Sequence, residues 1–168
     1  MPVHRILPLP GYTPTIGRLV AMLTYARDTT LAAVNGLMRE QLDHLHDARS
    51  NTIGALLAHI AAVERGYQVI TFEGREPSAS ETAAWAAALK LGATGRREIR
   101  EHELQFYTDE LSRTREATLM ALAQRDDAWL EAPLLIAPNL NAHWAWFHVA
   151  EDEINHRGQI RWLRARLP

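Results

Sequence analysis

Cysteine is missing from all 168 residues, which excludes a disulfide framework, a thiolate metal site and a cysteine nucleophile. Any sulfur chemistry must therefore arrive with an added thiol. Charge of one sign is missing as well: 18 Lys and Arg stand against 20 Asp and Glu, a formal net charge of -2. Such a chain offers no global field to draw in nucleic acid, and no nucleic-acid partner is expected. Nowhere do about twenty apolar residues run together, as a bilayer-spanning helix requires. The opening run from Met1 to Pro10 is too short and too broken by proline for the apolar region of an export signal. A soluble, cytoplasmic protein without a membrane partner is expected. Sustained strand alternation is also lacking, and no internal repeat stands out.

What the chain does have is helical periodicity, over a length that suits one domain spanning residues 1–168. Ile16, Leu19, Val20, Leu23, Leu31, Val34 and Leu37 recur at steps that mark one apolar stripe, predicting a first helix over Thr15 to Met38. Ser50 or Asn51 offers a cap for a second helix from Thr52 to Phe72, whose apolar face carries Ile53, Leu56, Leu57, Ile60 and Tyr67. Gly74 to Ser78 breaks the pattern. Ser80 then caps a short alanine-rich helix through Trp85 and Leu89, which Gly92 to Gly95 ends. A third long helix is expected over Arg96 to Gln124 and a fourth over Asn139 to Arg166, with no regular structure from Asp126 to Pro138. Four long helices joined by modest links, with one short extra helix between the second and third, predict an all-α four-helix bundle.

Eight histidines are somewhat many for this length, and imidazole is the side chain best suited to metal binding at neutral pH. His148, Asp152 and His156 step four apart and so share one helix face. A carboxylate and an imidazole one turn apart can reach a single ion, leaving a third ligand to another helix. His59 is the candidate, because it sits mid-helix among apolar neighbours where an unpartnered imidazole is costly to desolvate. Two histidines and a carboxylate are the donor set of catalytic zinc and non-haem iron sites, which leave positions open for water or substrate. Residue types alone leave a second reading standing. A histidine on an apolar face is more often a satisfied core residue, and an acid–histidine pair at (i, i+4) often only stabilises a helix surface.

The phrase Leu56-Leu57-Ala58-His59-Ile60-Ala61-Ala62-Val63-Glu64 resembles the helix-two signature of the DinB-like superfamily. His156-Arg157-Gly158-Gln159-Ile160 resembles its C-terminal signature, nearly a hundred residues away as in that family. The likeness covers almost the whole chain, including the end of helix one at Asn35 to Leu42. It implies the four-helix fold and a metal held by one histidine of helix two and a pair spaced four apart on the last helix. In the common pattern that pair is two histidines, and here its first member is Asp152. The related mycothiol-dependent maleylpyruvate isomerases carry a histidine–carboxylate–histidine set, which Asp152 fits. Aspartate is shorter than their glutamate, so recruitment of Glu151 or His148 in its place stays open. His148 lies two turns before His156 and reads as a pocket residue beside the metal. Tyr67, two turns past His59 on the same side, is a further pocket candidate, able to donate a hydrogen bond to a substrate oxygen.

The resemblance implies a metal-dependent transferase, isomerase or hydrolase acting on a small-molecule substrate, with zinc, nickel or iron as the ion and a low-molecular-weight thiol as cosubstrate. The alternatives are a non-catalytic, stress-associated dimer that binds metal or a small ligand, or a vestigial pocket that has lost its metal. Trp144 and Trp146 are two apart and cannot share a helix face, so one is expected to pack inward and the other to meet a partner, making a homodimer. His4, His44, His46, His102 and His143 lack companions at ligand spacing and read as surface or packing residues. Arg157, Arg161, Arg164 and Arg166 read as complements to a helix dipole. Glu64 is assigned no role.

Overall fold

The computed structural model describes residues 5–168, so His4 lies outside the described residues. Four long helices carry the fold: α1 (Pro14–Val34), α3 (Ile53–Gln68), α6 (Leu104–Leu122) and α8 (Ala142–Arg164). Short helices join them: α2 (Arg39–Leu42), α4 (Ala79–Lys90), α5 (Gly92–Glu98) and α7 (Asp127–Glu131). Among the described residues there is no strand, only an isolated bridge between Pro133 and Asn141. No described helix is long and apolar enough to cross a membrane.

Two apolar clusters fill the bundle, and their membership gives the direction of each helix. One gathers Val34, Leu56, Leu57, Tyr107, Leu111 and Ile160. The other gathers Ile16, Leu19, Leu23, Leu122, Trp146 and Val149. Thus α1 and α8 run from the second cluster to the first, while α3 and α6 run the opposite way. The closest neighbours are α1 with α8 and α3 with α6, so each of these pairs is parallel. Parallel neighbours joined in sequence need a crossover along the bundle. The stretch holding α4 and α5 provides it, and it lays α4 against α3.

Local chemistry explains where the elements begin and stop. Thr52 caps α3, its hydroxyl accepting the Ala55 N–H at 3.1 Å, so neither Ser50 nor Asn51 is the cap. Asn51 instead accepts the Gly92 N–H at 2.9 Å and pins the crossover. A π-helical turn, Val69–Glu73, extends α3 until Gly74 ends it at φ +64°, a conformation that favours glycine. Ser78, not Ser80, caps α4, in a reciprocal box with Glu81. Gly92 to Gly95 opens α5 instead of merely ending α4, the break falling at Leu91 and Gly92 where φ turns positive. The expected third helix from Arg96 is divided. Its first residues close α5, and Glu101 reverses the chain at φ +67°, donating its N–H to Asp43 Oδ2 at 2.7 Å before α6 begins. Asp126 caps the short α7 within a stretch expected to be irregular. Trp146 is fully buried and Trp144 half exposed, dividing the tryptophan pair between core and surface as their spacing requires.

Candidate metal centre

α3 and α8 pack side by side near the middle of the bundle. His59 lies between Leu57 and Ile60 on α3; Asp152 and His156 lie between Val149 and Ile160 on α8. Asp152 Oδ1 stands 3.7 Å from His59 Nε2 and 3.3 Å from His156 Nε2. The two imidazole rings meet edge to face with centroids 4.6 Å apart. One ligand atom from each of the three residues lies within 4.8 Å of the others. Ligands about 2.1 Å from a tetrahedral ion stand about 3.4 Å apart, so the donor set fits a divalent cation. Glu151 and His148 are outside this group: they turn to each other, Glu151 Oε2 at 3.2 Å from His148 Nδ1.

The proton positions suit the same purpose. A carbonyl oxygen only accepts, so the 2.9 Å contact between His59 Nδ1 and the Ala88 carbonyl fixes Nδ1 as the protonated nitrogen of neutral His59. The Nε2 lone pair is left facing Asp152. Ligating histidines have their tautomer and orientation set in this way by a carbonyl or carboxylate behind them. His156 Nδ1 is buried without a hydrogen-bond partner among the described residues, so no group behind this ring fixes it, and its Nε2 faces the Asp152 carboxylate. Burial pulls the His59 pKa down, but the adjacent Asp152 carboxylate and the Ala88 carbonyl more than reverse this and hold it above the ordinary value. Burial raises Asp152, and the two flanking imidazoles outweigh it, keeping the carboxyl well below the usual range. The carboxylate is therefore charged at any physiological pH.

One side of the cluster continues into aromatic rings. Tyr67 meets His148 edge-on with centroids 5.8 Å apart, and Trp144 lies parallel to His148 at 5.1 Å. Burial and the negative Asp152 both raise the Tyr67 pKa, so the phenol stays a protonated donor beside the carboxylate.

Sequence reasoning missed two features. Ala88 acts through its backbone, which no residue type announces. A buried ionic network was missed as well. Glu64, fully buried, accepts from Arg115 Nε at 2.7 Å and Arg27 Nη2 at 2.9 Å, with the Thr118 hydroxyl donating at 2.7 Å. Glu153, also fully buried, accepts from Arg27 Nε at 2.8 Å and Arg115 Nη2 at 3.0 Å. The signal was present in the pattern. Arg27 follows Leu23 by four, Arg115 follows Leu111 by four, Glu64 follows Ile60 by four and Glu153 follows Val149 by four, placing one charge on the apolar stripe of each long helix.

A four-helix bundle with an imidazole of its second long helix facing a carboxylate–histidine pair of its last belongs to the DinB-like class. The model of the mycothiol-S-transferase family matches residues 18–168, and the chain belongs to that family. The matched span includes all three residues of the cluster. No curated protein matches the chain. Membership makes it a mycothiol-related protein of an enzyme family with small-molecule substrates.

Proposed function

We propose that the protein is a metal-dependent transferase that joins a low-molecular-weight thiol to a small electrophile, with His59, Asp152 and His156 holding a divalent ion. The observation that carries this reading is the convergence of three donors within 4.8 Å, with the His59 lone pair directed by Ala88. Family membership supports it independently, because the family name specifies transfer at the sulfur of mycothiol. The donor set of two nitrogens and one oxygen suits zinc, nickel or iron. When bound, such an ion supplies Lewis acidity and lowers the pKa of a thiol or water at its open positions.

The chain's own groups do the rest. Asp152 would balance part of a bound cation's charge, leaving a site whose net charge would still favour an anionic sulfur. The thiol proton leaves to solvent as the sulfur forms its bond to the electrophilic carbon; the carbon–oxygen bond that opens there leaves its electron pair on the oxygen, which takes up a proton from solvent. Tyr67, held as a neutral phenol, donates a hydrogen bond to an oxygen of the electrophile where negative charge develops. His148 and Trp144 provide flat apolar surface for the same substrate, and Glu151 fixes the His148 ring. A chain without cysteine does not compete with its cosubstrate for electrophiles. Thiol-dependent chemistry also suits the reducing cytoplasm. Pairing of two copies is part of this proposal, supported by the exposed Tyr25, Phe147 and Ile154 on the outer faces of α1 and α8. Light scattering of the purified protein tests it, and a monomer mass at micromolar concentration rejects it.

The deciding experiment is metal analysis of the purified protein and of His59→Ala, followed by a thiol-consumption assay across a panel of electrophiles. About one ion per chain, lost in the variant, with turnover by the loaded protein, is the expected outcome. Retained metal in the variant overturns the ligand set; bound metal without turnover of any electrophile leaves a binding protein in place of an enzyme.

A further inference from the structure

A cavity of about 330 Å3 lies between α3, α4 and α6. None of its lining comes from α8, so it is separate from the cluster of His59, Asp152 and His156. Alanine creates the space. Ala58, Ala61 and Ala62 line it from α3, and Ala84, Ala87 and Ala88 from α4, where any larger apolar side chain would fill the gap. Flat surface encloses much of the rest: Trp85 of α4 and Phe106 and Tyr107 of α6, with His102 stacked on Phe106 at 3.9 Å. Phe106 is exposed, so aromatic surface reaches the mouth. Such a volume is at the lower end of small-molecule pockets, and an apolar, aromatic lining with few polar groups is their usual make-up. It suits a compound of two fused rings.

Three charged side chains stand in the lining, Arg65, Glu98 and Glu110, and they differ in what they have left to offer. Glu110 is bonded by two guanidinium groups, of Arg65 and Arg113, and Glu98 by that of Arg97 at 2.6 Å. Arg65 gives only Nη2 to Glu110, and its Nε and Nη1 have no protein partner among the described residues. Because Arg113 stays on Glu110, Arg65 can turn donors to a ligand without stranding that carboxylate. An incoming carboxylate meets open donors, whereas an ammonium must compete with a guanidinium at either acid.

We propose that this cavity binds a flat aromatic carboxylic acid, its rings among the alanines of α3 and α4 and its carboxylate on Arg65, and that occupancy holds α4 in place behind His59. α4 has no fully buried residue, and the backbone on either side of it turns to positive φ, at Gly74 and at Leu91 and Gly92. Little apolar burial of its own therefore holds it on α3. A ligand touching α3 and α4 together makes contacts that vanish when α4 lifts, so it favours the seated helix. Ala88 carries the effect to the cluster, because it lines the cavity and its carbonyl accepts from His59 Nδ1 at 2.9 Å.

The test compares 2-naphthoate, 2-naphthylmethanol and 2-naphthylmethylamine, which carry the same rings with a negative, a neutral and a positive end. Calorimetry on the full chain is expected to rank naphthoate tightest, by about 10-fold or more over either of the others. Arg65→Met should remove that advantage and leave the affinity for the alcohol unchanged. Ala87→Leu should abolish binding of all three, with far-UV dichroism of both variants like the parent's. NOEs from the ring protons to the Ala62 and Ala84 methyl groups should place the ligand. At about 100 times its Kd, naphthoate should slow amide hydrogen exchange in α4 about 100-fold. Binding of none of the three, or binding that survives Ala87→Leu, overturns the cavity. The amine matching the acid, or a naphthoate advantage that survives Arg65→Met, overturns the ligand class, and binding without slower exchange in α4 overturns the link to His59. Neither metal nor thiol enters these measurements, so the thiol-transfer reading can fail with the cavity standing, and the reverse.

Discussion

His59 depends on a carbonyl 29 residues further along the chain, and α1 depends on a carboxylate more than a hundred residues away. Thr13 precedes α1 without capping it through its own side chain, and the first turn of that helix has no acidic residue. Asp127 supplies both. Its carboxylate accepts the Thr15 and Ile16 N–H groups at 3.1 Å and the Thr15 hydroxyl at 2.9 Å, with the Thr13 hydroxyl donating as well. These donors, the Thr13 hydroxyl foremost, lower the Asp127 pKa to about 2. A carboxyl depressed in the folded state adds stability above its unfolded pKa and loses it as the pH falls through the folded value. Asp127→Asn is therefore expected to melt at lower temperature than the parent at neutral pH. The gap should close between pH about 4, the ordinary aspartate range, and pH about 2; a gap constant across that interval would refute the cap. The meeting of His59, Asp152 and His156 was legible because the four-residue step on α8 and an imidazole among apolar neighbours on α3 are written in residue types. Ala88 and Asp127 were not, because a carbonyl has no side-chain signature and a cap from another helix has no local pattern.

At the scale of the helices, two mid-helix glycines make opposite demands. A Cβ on Gly54 of α3 would stand 2.7 Å from the Tyr107 hydroxyl of α6, so the buried Tyr107 ring would have to shift. Overpacking of this kind costs about 1–3 kcal/mol, so Gly54→Ala should unfold at distinctly lower urea concentration. On α8, a Cβ at Gly158 meets open space. Gly158→Ala should raise stability by about 0.5–1 kcal/mol in the same titration. Equal effects at both sites would show that packing does not explain them. The positions of the four long helices were legible from their apolar stripes. The start of α6 was not, because the periodic pattern runs through Ile99 while Glu101 turns the backbone into the left-handed region. That reversal serves the crossover, and the need for a crossover arises only from the parallel pairing of α3 with α6.

Across the whole molecule, Arg27, Glu64, Arg115 and Glu153 form a layer between the two apolar clusters, one charge from each long helix. An ionic layer of this kind carries no stability advantage over well-packed hydrophobic residues, yet removing one member leaves an uncompensated buried charge and costs about 3–5 kcal/mol. The layer bonds α3 to α6 through Glu64, and α8 to α1 and α6 through Glu153, the residue next to Asp152. It thereby sets the register in which the metal-ligand candidates meet. Glu64→Gln keeps the shape and removes the charge, so it should lose several kcal/mol at pH 7. Replacing Glu64 and Arg115 together by leucine leaves Arg27 paired with Glu153 and should recover much of that loss. Burial raises the Glu64 pKa, but Arg115 and Arg27 with the Thr118 hydroxyl outweigh it and hold the carboxyl below the ordinary range. The advantage of the parent over Glu64→Gln is thus fully present above the usual glutamate pKa of about 4.3. It should shrink as the pH falls toward the depressed value, where a protonated Glu64 resembles glutamine. Urea titrations of the two proteins from pH 7 to about pH 3 check this, and an advantage that grows on acidification would place the charge on some other member of the layer.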